Sequence, residues 1–134
     1  MNLFLNYQKR FLDYLKILKK ERIIDFADNL KSLTVELPPK GHKADMSCNV
    51  AMILAKFNKK TPLDLANILK KNFLENFNEF KKIDVAKPGF LNINFKIDFW
   101  KNYLFKIIEF NANYGSNKNI QQKYNIEFVS ANPT

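Results

Sequence analysis

The sequence predicts an α+β fold, a two-layer sandwich in which amphipathic helices cover one face of a small antiparallel sheet. Three observations predict it. Apolar residues recur at steps of three and four in several separate stretches, the spacing of a helix with one buried face. Runs rich in apolar and β-branched residues flank the turn tripeptide Lys87-Pro88-Gly89, which reads as a β-hairpin whose glycine can take positive φ. Thr61-Pro62-Leu63-Asp64 sets a cap, a first-turn proline and an acid in the order of a helix start.

The first helix is expected from Leu3 to Ile24. Its apolar face carries Phe4, Tyr7, Phe11, Tyr14, Leu15 and Leu18, with Lys9, Arg10, Lys16 and Lys20 largely off it. Leu33, Val35 and Leu37 then alternate with Thr34 and Glu36, a short strand that Pro38-Pro39 stops because proline cannot donate to a ladder. A loop runs to about Ala44, and Asp45 is placed to cap a second helix carrying Val50, Met52, Ile53, Leu54 and Phe57. The third helix starts at Thr61, its face running through Ala66, Leu69, Phe73, Phe77 and Phe80.

The hairpin pairs Ile83-Asp84-Val85-Ala86 with Phe90-Leu91-Asn92-Ile93-Asn94-Phe95. Alternation turns Leu91, Ile93 and Phe95 to the core and Phe90, Asn92 and Asn94 to the opposite face. Helical spacing resumes after Asp98 through Phe99, Trp100, Tyr103, Leu104, Ile107 and Ile108, with a stop near Gly115. Ser116 to Lys123 reads as a linker and Tyr124 to Val129 as a further strand, after which Ala131-Asn132-Pro133-Thr134 ends the sequence. The expected organisation is therefore one domain over residues 1–115 and, over 116–134, a linker with the truncated start of another.

A length of 134 residues suits one domain. With 46% hydrophobic and 14% aromatic residues, Gly 3 and Pro 5, the chain can bury a core, which excludes disordered and collagen-like classes. Lys+Arg 22 against Asp+Glu 13 leaves +9 and a pI near 9.6, a field that favours polyanions, nucleic acid first, or equally a lysine-rich surface that keeps a Phe-rich chain in solution. One cysteine makes no internal disulfide, and His42 with Cys48 falls short of a zinc ligand set. A reducing cytoplasm and no bound metal are expected. No apolar run approaches the roughly 18 residues of a membrane span, and the N-terminus lacks a signal peptide's apolar region.

His42, Asp45 and Cys48 lie within seven residues and could suggest a nucleophile and its base, but no second acid is placed to orient the imidazole. Neither Gly41 nor Gly89 belongs to a phosphate-cradling pattern. The hairpin is more informative. Phe90 and Asn92 share one strand face between Lys87 in the turn and Lys96 at the far end, and an aromatic plate beside an amide can stack an unpaired base and bond its edge. The competing reading has Phe90 covered by another element and Asn92 merely tolerating solvent.

The string Ile126-Glu127-Phe128-Val129-Ser130-Ala131-Asn132-Pro133-Thr134 resembles the start of the catalytic domain of bacterial arginyl-tRNA synthetases. The rest of the chain resembles the same family's N-terminal additional domain. The resemblance is carried by Asp45-Met46-Ser47-Cys48-Asn49-Val50-Ala51-Met52 with Leu54-Ala55-Lys56, by Thr61-Pro62 leading to Leu65-Ala66, and by Val85-Ala86-Lys87-Pro88-Gly89-Phe90-Leu91-Asn92. Ala44 stands where the family commonly has glycine, and Lys87 where it has glycine or asparagine.

The resemblance implies a domain that binds the outer corner of tRNA(Arg), with Phe90 and Asn92 at a D-loop base, and Lys87 in the adjoining turn completes the expected set of tRNA-binding residues. It implies that Glu127, Ser130 and Asn132 line an arginine pocket in the complete enzyme. That enzyme would be a class I, cytoplasmic, monomeric arginine-tRNA ligase using ATP with Mg, whereas this stretch alone would hold no catalytic residue, bind no cofactor and be inactive. Two other readings stand beside it: a stand-alone basic module that binds RNA by charge without reading a base, and a protein interaction domain using Phe-rich helix faces.

Overall fold

Helix α1 (Leu3–Lys20) forms because Tyr7, Phe11, Leu15 and Leu18 fall on one stripe and are all buried. Asn2 caps it, its Oδ1 accepting from the Leu5 amide at 3.1 Å, and Lys19 and Lys20 meet the negative end of its dipole. The computed structural model describes residues 2–27 and 30–113. The expected stop near Gly115, the linker and the strand at 124–129 lie outside the described residues.

After α1 come β1 (Val35–Glu36), β2 (Met46–Cys48), α2 (Val50–Asn58), α3 (Pro62–Asn76), β3 (Phe80–Ala86), β4 (Phe90–Phe95) and α4 (Ile97–Asn113). The four strands make one sheet in the order β1-β2-β4-β3. Both β1–β2 and β2–β4 are antiparallel, with Val35 opposite Cys48 and Met46, Ser47 and Cys48 opposite Ile93, Asn92 and Leu91. The α+β architecture is the expected one. The chain divides between Asn94 and Phe95 into two compact units.

In the first unit, α3 packs against α2 and β3, and α1 against β1. An aromatic cluster joins them. Phe11 stacks on Phe73 at 4.7 Å between ring centroids, Phe77 on Phe80 at 5.0 Å, and Tyr7 lies 5.7 Å from Phe80. Tyr7 satisfies its hydroxyl by donating to Glu79 Oε2 at 2.6 Å, an oxygen that also accepts from Arg10 at 2.6 Å. The second unit has its own cluster: Phe95 stacks on Phe99 at 4.0 Å, and Trp100 stands edge-on to Phe95 at 5.3 Å.

The start of α3 is as the sequence predicts. Thr61 Oγ1 accepts from the Asp64 amide at 3.1 Å, and Pro62 occupies the first turn. Its apolar face ends earlier than expected, however, because Phe77 is the C-cap and Phe80 already belongs to β3. Likewise α1 stops at Lys20 rather than Ile24, and the strand expected over 33–37 keeps only Val35 and Glu36.

The second helix needs the larger correction. Asp45 is not the cap of α2, since Met46-Ser47-Cys48 is a strand between β1 and β4, and α2 begins after Asn49. Asn49 uses its side chain elsewhere: Oδ1 accepts from the Thr34 amide at 2.8 Å and Nδ2 donates to Ser32 O at 3.0 Å. That tie holds the approach to β1 against β2, and Met46-Ser47-Cys48 becomes one of the sheet's two inner strands.

Burial on this strand has a measurable consequence at Cys48, which is 1% exposed. Burial pushes its thiol up to about 12, against the lowering effect of the Val50 and Asn49 backbone amides. The folded value lies above the unfolded one near 9, so the stabilisation is complete below that pH and falls as the unfolded thiolate forms. The expected loss is on the order of 1 kcal/mol by pH 10. Urea denaturation at pH 8 and pH 10 checks it: Cys48→Ala should show a smaller alkaline loss than the native chain by about that amount, and equal losses would disprove it.

Candidate nucleic-acid interface

The hairpin turn is locked onto the helices by its glycine. A β-carbon at Gly89 would sit 2.9 Å from Pro62 Cβ, 3.2 Å from Pro62 O and 3.3 Å from Met52 Cγ, so the turn presses against the start of α3 and the side of α2. Gly89 is not in the positive-φ region, where Gly41 is the described glycine. Its role is close approach rather than the turn conformation expected from sequence. The Lys87–Pro88 peptide is cis, and Gly89 N donates to Ala86 O at 2.9 Å. Lys87 is left exposed at the tip.

Beyond the turn, β4 alternates as predicted. Leu91 and Ile93 are fully buried and Phe95 nearly so, while Phe90 and Asn94 are half-buried on the other face. Phe90 stacks on no other ring among the described residues. Asn92 departs from the expectation of an open face, being only 5% exposed. The segment before β2 covers it: Asn92 Nδ2 lies 3.5 Å from His42 Nδ1, and Asn94 Nδ2 donates to Lys43 O at 3.0 Å.

Opposite Asn92 stands Ser47, 4% exposed. Ser47 Oγ, Asn92 Oδ1 and Asn94 Oδ1 are all buried without a hydrogen-bond partner, a concentration of unmet polar atoms that carries a free-energy cost. Ser47 and His42 belong to this patch and were not singled out for it by sequence. The available signal was the polar Ser47 between apolar Met46 and Cys48, a period of two too short to separate from the helix that follows.

Lys87, Phe90 and Asn92 are therefore brought together by one hairpin, whereas Glu127, Ser130 and Asn132 lie outside the described residues. His42, Asp45 and Cys48 form no nucleophilic centre, because the thiol is buried and held protonated. Among the described residues no group of three or more His, Cys, Asp or Glu is arranged to hold a metal, and no helix is long and apolar enough to cross a membrane.

Such an arrangement defines a small α+β module whose distinctive polar groups gather on a strand and its turn. The model of the arginyl tRNA synthetase N terminal domain matches residues 6–95, and the chain belongs to that family. It is 42% identical over its whole length to an arginine–tRNA ligase of Pelagibacter ubique and 37% to one of Wolbachia pipientis subsp. Culex pipiens, spanning 23% of each relative. An arginine–tRNA ligase of Ehrlichia ruminantium is 40% identical over 78% of the chain, which covers 18% of that relative. No solved structure matches.

Proposed function

We propose that this chain is the tRNA-recognising part of an enzyme that joins arginine to tRNA(Arg) with ATP. The observation that carries the reading is the β4 face: an aromatic ring without a ring partner, next to a carboxamide whose oxygen has none either, beside an exposed lysine. Lys87 meets phosphate, Phe90 stacks an unpaired D-loop base, and Asn92 Oδ1 accepts from an amino group on the base edge. A base that reaches Asn92 displaces His42 from its 3.5 Å contact, so the segment before β2 gives way as the base enters. Glu127, Ser130 and Asn132 would line the arginine pocket, a carboxylate with hydroxyl and amide groups suiting a cationic amino acid. ATP with Mg would be held in the catalytic part, where it activates the arginine carboxylate.

Binding of tRNA(Arg) tests the reading. The chain, with +9 charge, is expected to bind weakly and with affinity falling steeply as salt rises from roughly 50 to 200 mM, since each phosphate contact adds a fixed slope. Affinity that is flat over this range would contradict it. Self-association that survives high salt would instead favour the interaction-domain reading, for which α4 leaves Phe105 and Ile108 exposed.

A further inference from the structure

Among the described residues, two other than glycine adopt the left-handed backbone region, Arg22 at φ 61° and Lys59 at φ 49°. Both are basic. Each closes a helix at a position where glycine or asparagine sits without strain. Arg22 is the left-handed residue of a complete C-terminal motif on α1, with Ile23 N donating to Leu18 O and Arg22 N to Lys19 O, both at 3.0 Å. Lys59 is the C-cap of α2.

The two ends meet at one cleft of about 470 Å³, whose lining includes Lys19, Arg22, Ile24, Asp25, Asn58 and Lys60. Asn58 fixes its walls together. Its Oδ1 accepts from Asp25 N at 2.7 Å, and its Nδ2 donates to Asp25 O at 2.9 Å and to Leu54 O at 2.6 Å. Buried Ile24 anchors the segment. The one acid in the lining, Asp25, is partly engaged, accepting from the Phe26 amide at 2.9 Å with Lys19 Nζ at 3.9 Å. Lys19 also donates to Phe26 O. Arg22 and Lys60 are exposed and have no ion-pair partner among the described residues.

We propose that this cleft is a second RNA contact, a seat for one backbone phosphate separate from the hairpin that reads a base. It rests on the RNA-binding reading given above. An unpaired guanidinium can grip a phosphate through two parallel hydrogen bonds, and Lys60 adds a point charge from the facing loop. The left-handed turn at Arg22 brings that residue to the cleft lining, with Lys60, the residue after left-handed Lys59, in the same lining. Such a contact sets the position of the RNA and carries no base information.

The test uses tRNA binding by the complete protein at several salt concentrations, with thermal unfolding measured alongside. Arg22→Gly suits the left-handed backbone better than arginine, so its melting temperature should stay level or rise. Its tRNA affinity should nonetheless fall by roughly three- to tenfold, with the salt slope reduced by about 1. Lys60→Gln should weaken binding similarly, and Arg22→Lys should restore the salt slope but only part of the affinity, since an ammonium keeps the charge and loses the two-pronged grip. Lys71→Gln, an exposed charge on α3, should change affinity much less. Native affinity and slope in both Arg22→Gly and Lys60→Gln, or an equal loss in Lys71→Gln, would overturn the cleft while leaving RNA recognition by the hairpin intact. A native protein that binds no tRNA at all would overturn both.

Discussion

Phe73→Ala is expected to destabilise the chain by about 3 to 5 kcal/mol, the range for deleting a fully buried aromatic. Phe73 is 0% exposed and touches three other rings, stacking on Phe11 at 4.7 Å and meeting Phe77 at 5.6 Å and Tyr14 at 5.7 Å. These partners come from α1 and from the end of α3 itself, so truncation opens a cavity between two helices rather than at a surface that could collapse. Domains of this size have a total stability of about 5 to 15 kcal/mol, so the variant should be largely unfolded near body temperature if the native value lies at the low end. Urea midpoints for Phe73→Ala and Phe105→Ala make the comparison, since Phe105 is 64% exposed and its loss should cost less than about 0.5 kcal/mol. Equal shifts would show that the Phe11–Phe73 stack is not the centre of the core.

Phe90→Ala in the complete enzyme should weaken tRNA charging by roughly tenfold or more, because stacking one base on an aromatic ring is worth about 1 to 3 kcal/mol. Activation of arginine should stay normal. That separation is expected only of a contact outside the catalytic centre. Phe90 is half-buried and has no ring partner among the described residues, so its removal should cost clearly less stability than Phe73→Ala. Asn92→Ala behaves differently. Its Nδ2 contact to His42 is long, at 3.5 Å, and its Oδ1 is unmet, so the variant should keep its stability and flatten the preference among bases at the contacted D-loop position. A Phe90→Ala variant that loses stability and both reaction steps together, with Asn92→Ala neutral in base preference, would end the base-reading proposal.

Much of the fold was legible because it is encoded by neighbours along the chain. The cap, proline and acid at Thr61 to Asp64 act within one turn, and the stripe of Tyr7, Phe11, Leu15 and Leu18 needs only helical spacing to become a buried face. The alternation of Phe90 to Phe95 likewise set which side chains share a face. The position of Lys87, Phe90 and Asn92 on one hairpin was readable for the same reason. Their surroundings were not.

What only the tertiary structure decided are the places where distant segments meet. Met46-Ser47-Cys48 is a strand because β1 and β4 supply its ladder partners, and no pattern within three residues can announce partners that far away in sequence. Asn92 is buried because the His42 segment folds over it, although alternation correctly put it opposite the core. Gly89 is required by the approach of Pro62 and Met52, not by its own backbone angle. Arg22 and Lys60 meet at one cleft because the segments that follow α1 and α2 come together, with Asn58 tied to Asp25. The sequence by itself determined which residues form each helix face and the hairpin, since propensity, capping and periodicity act over a few residues. Exposure, strand pairing and the meeting of charges depend on contacts between segments tens of residues apart, and these exist only once the chain has packed.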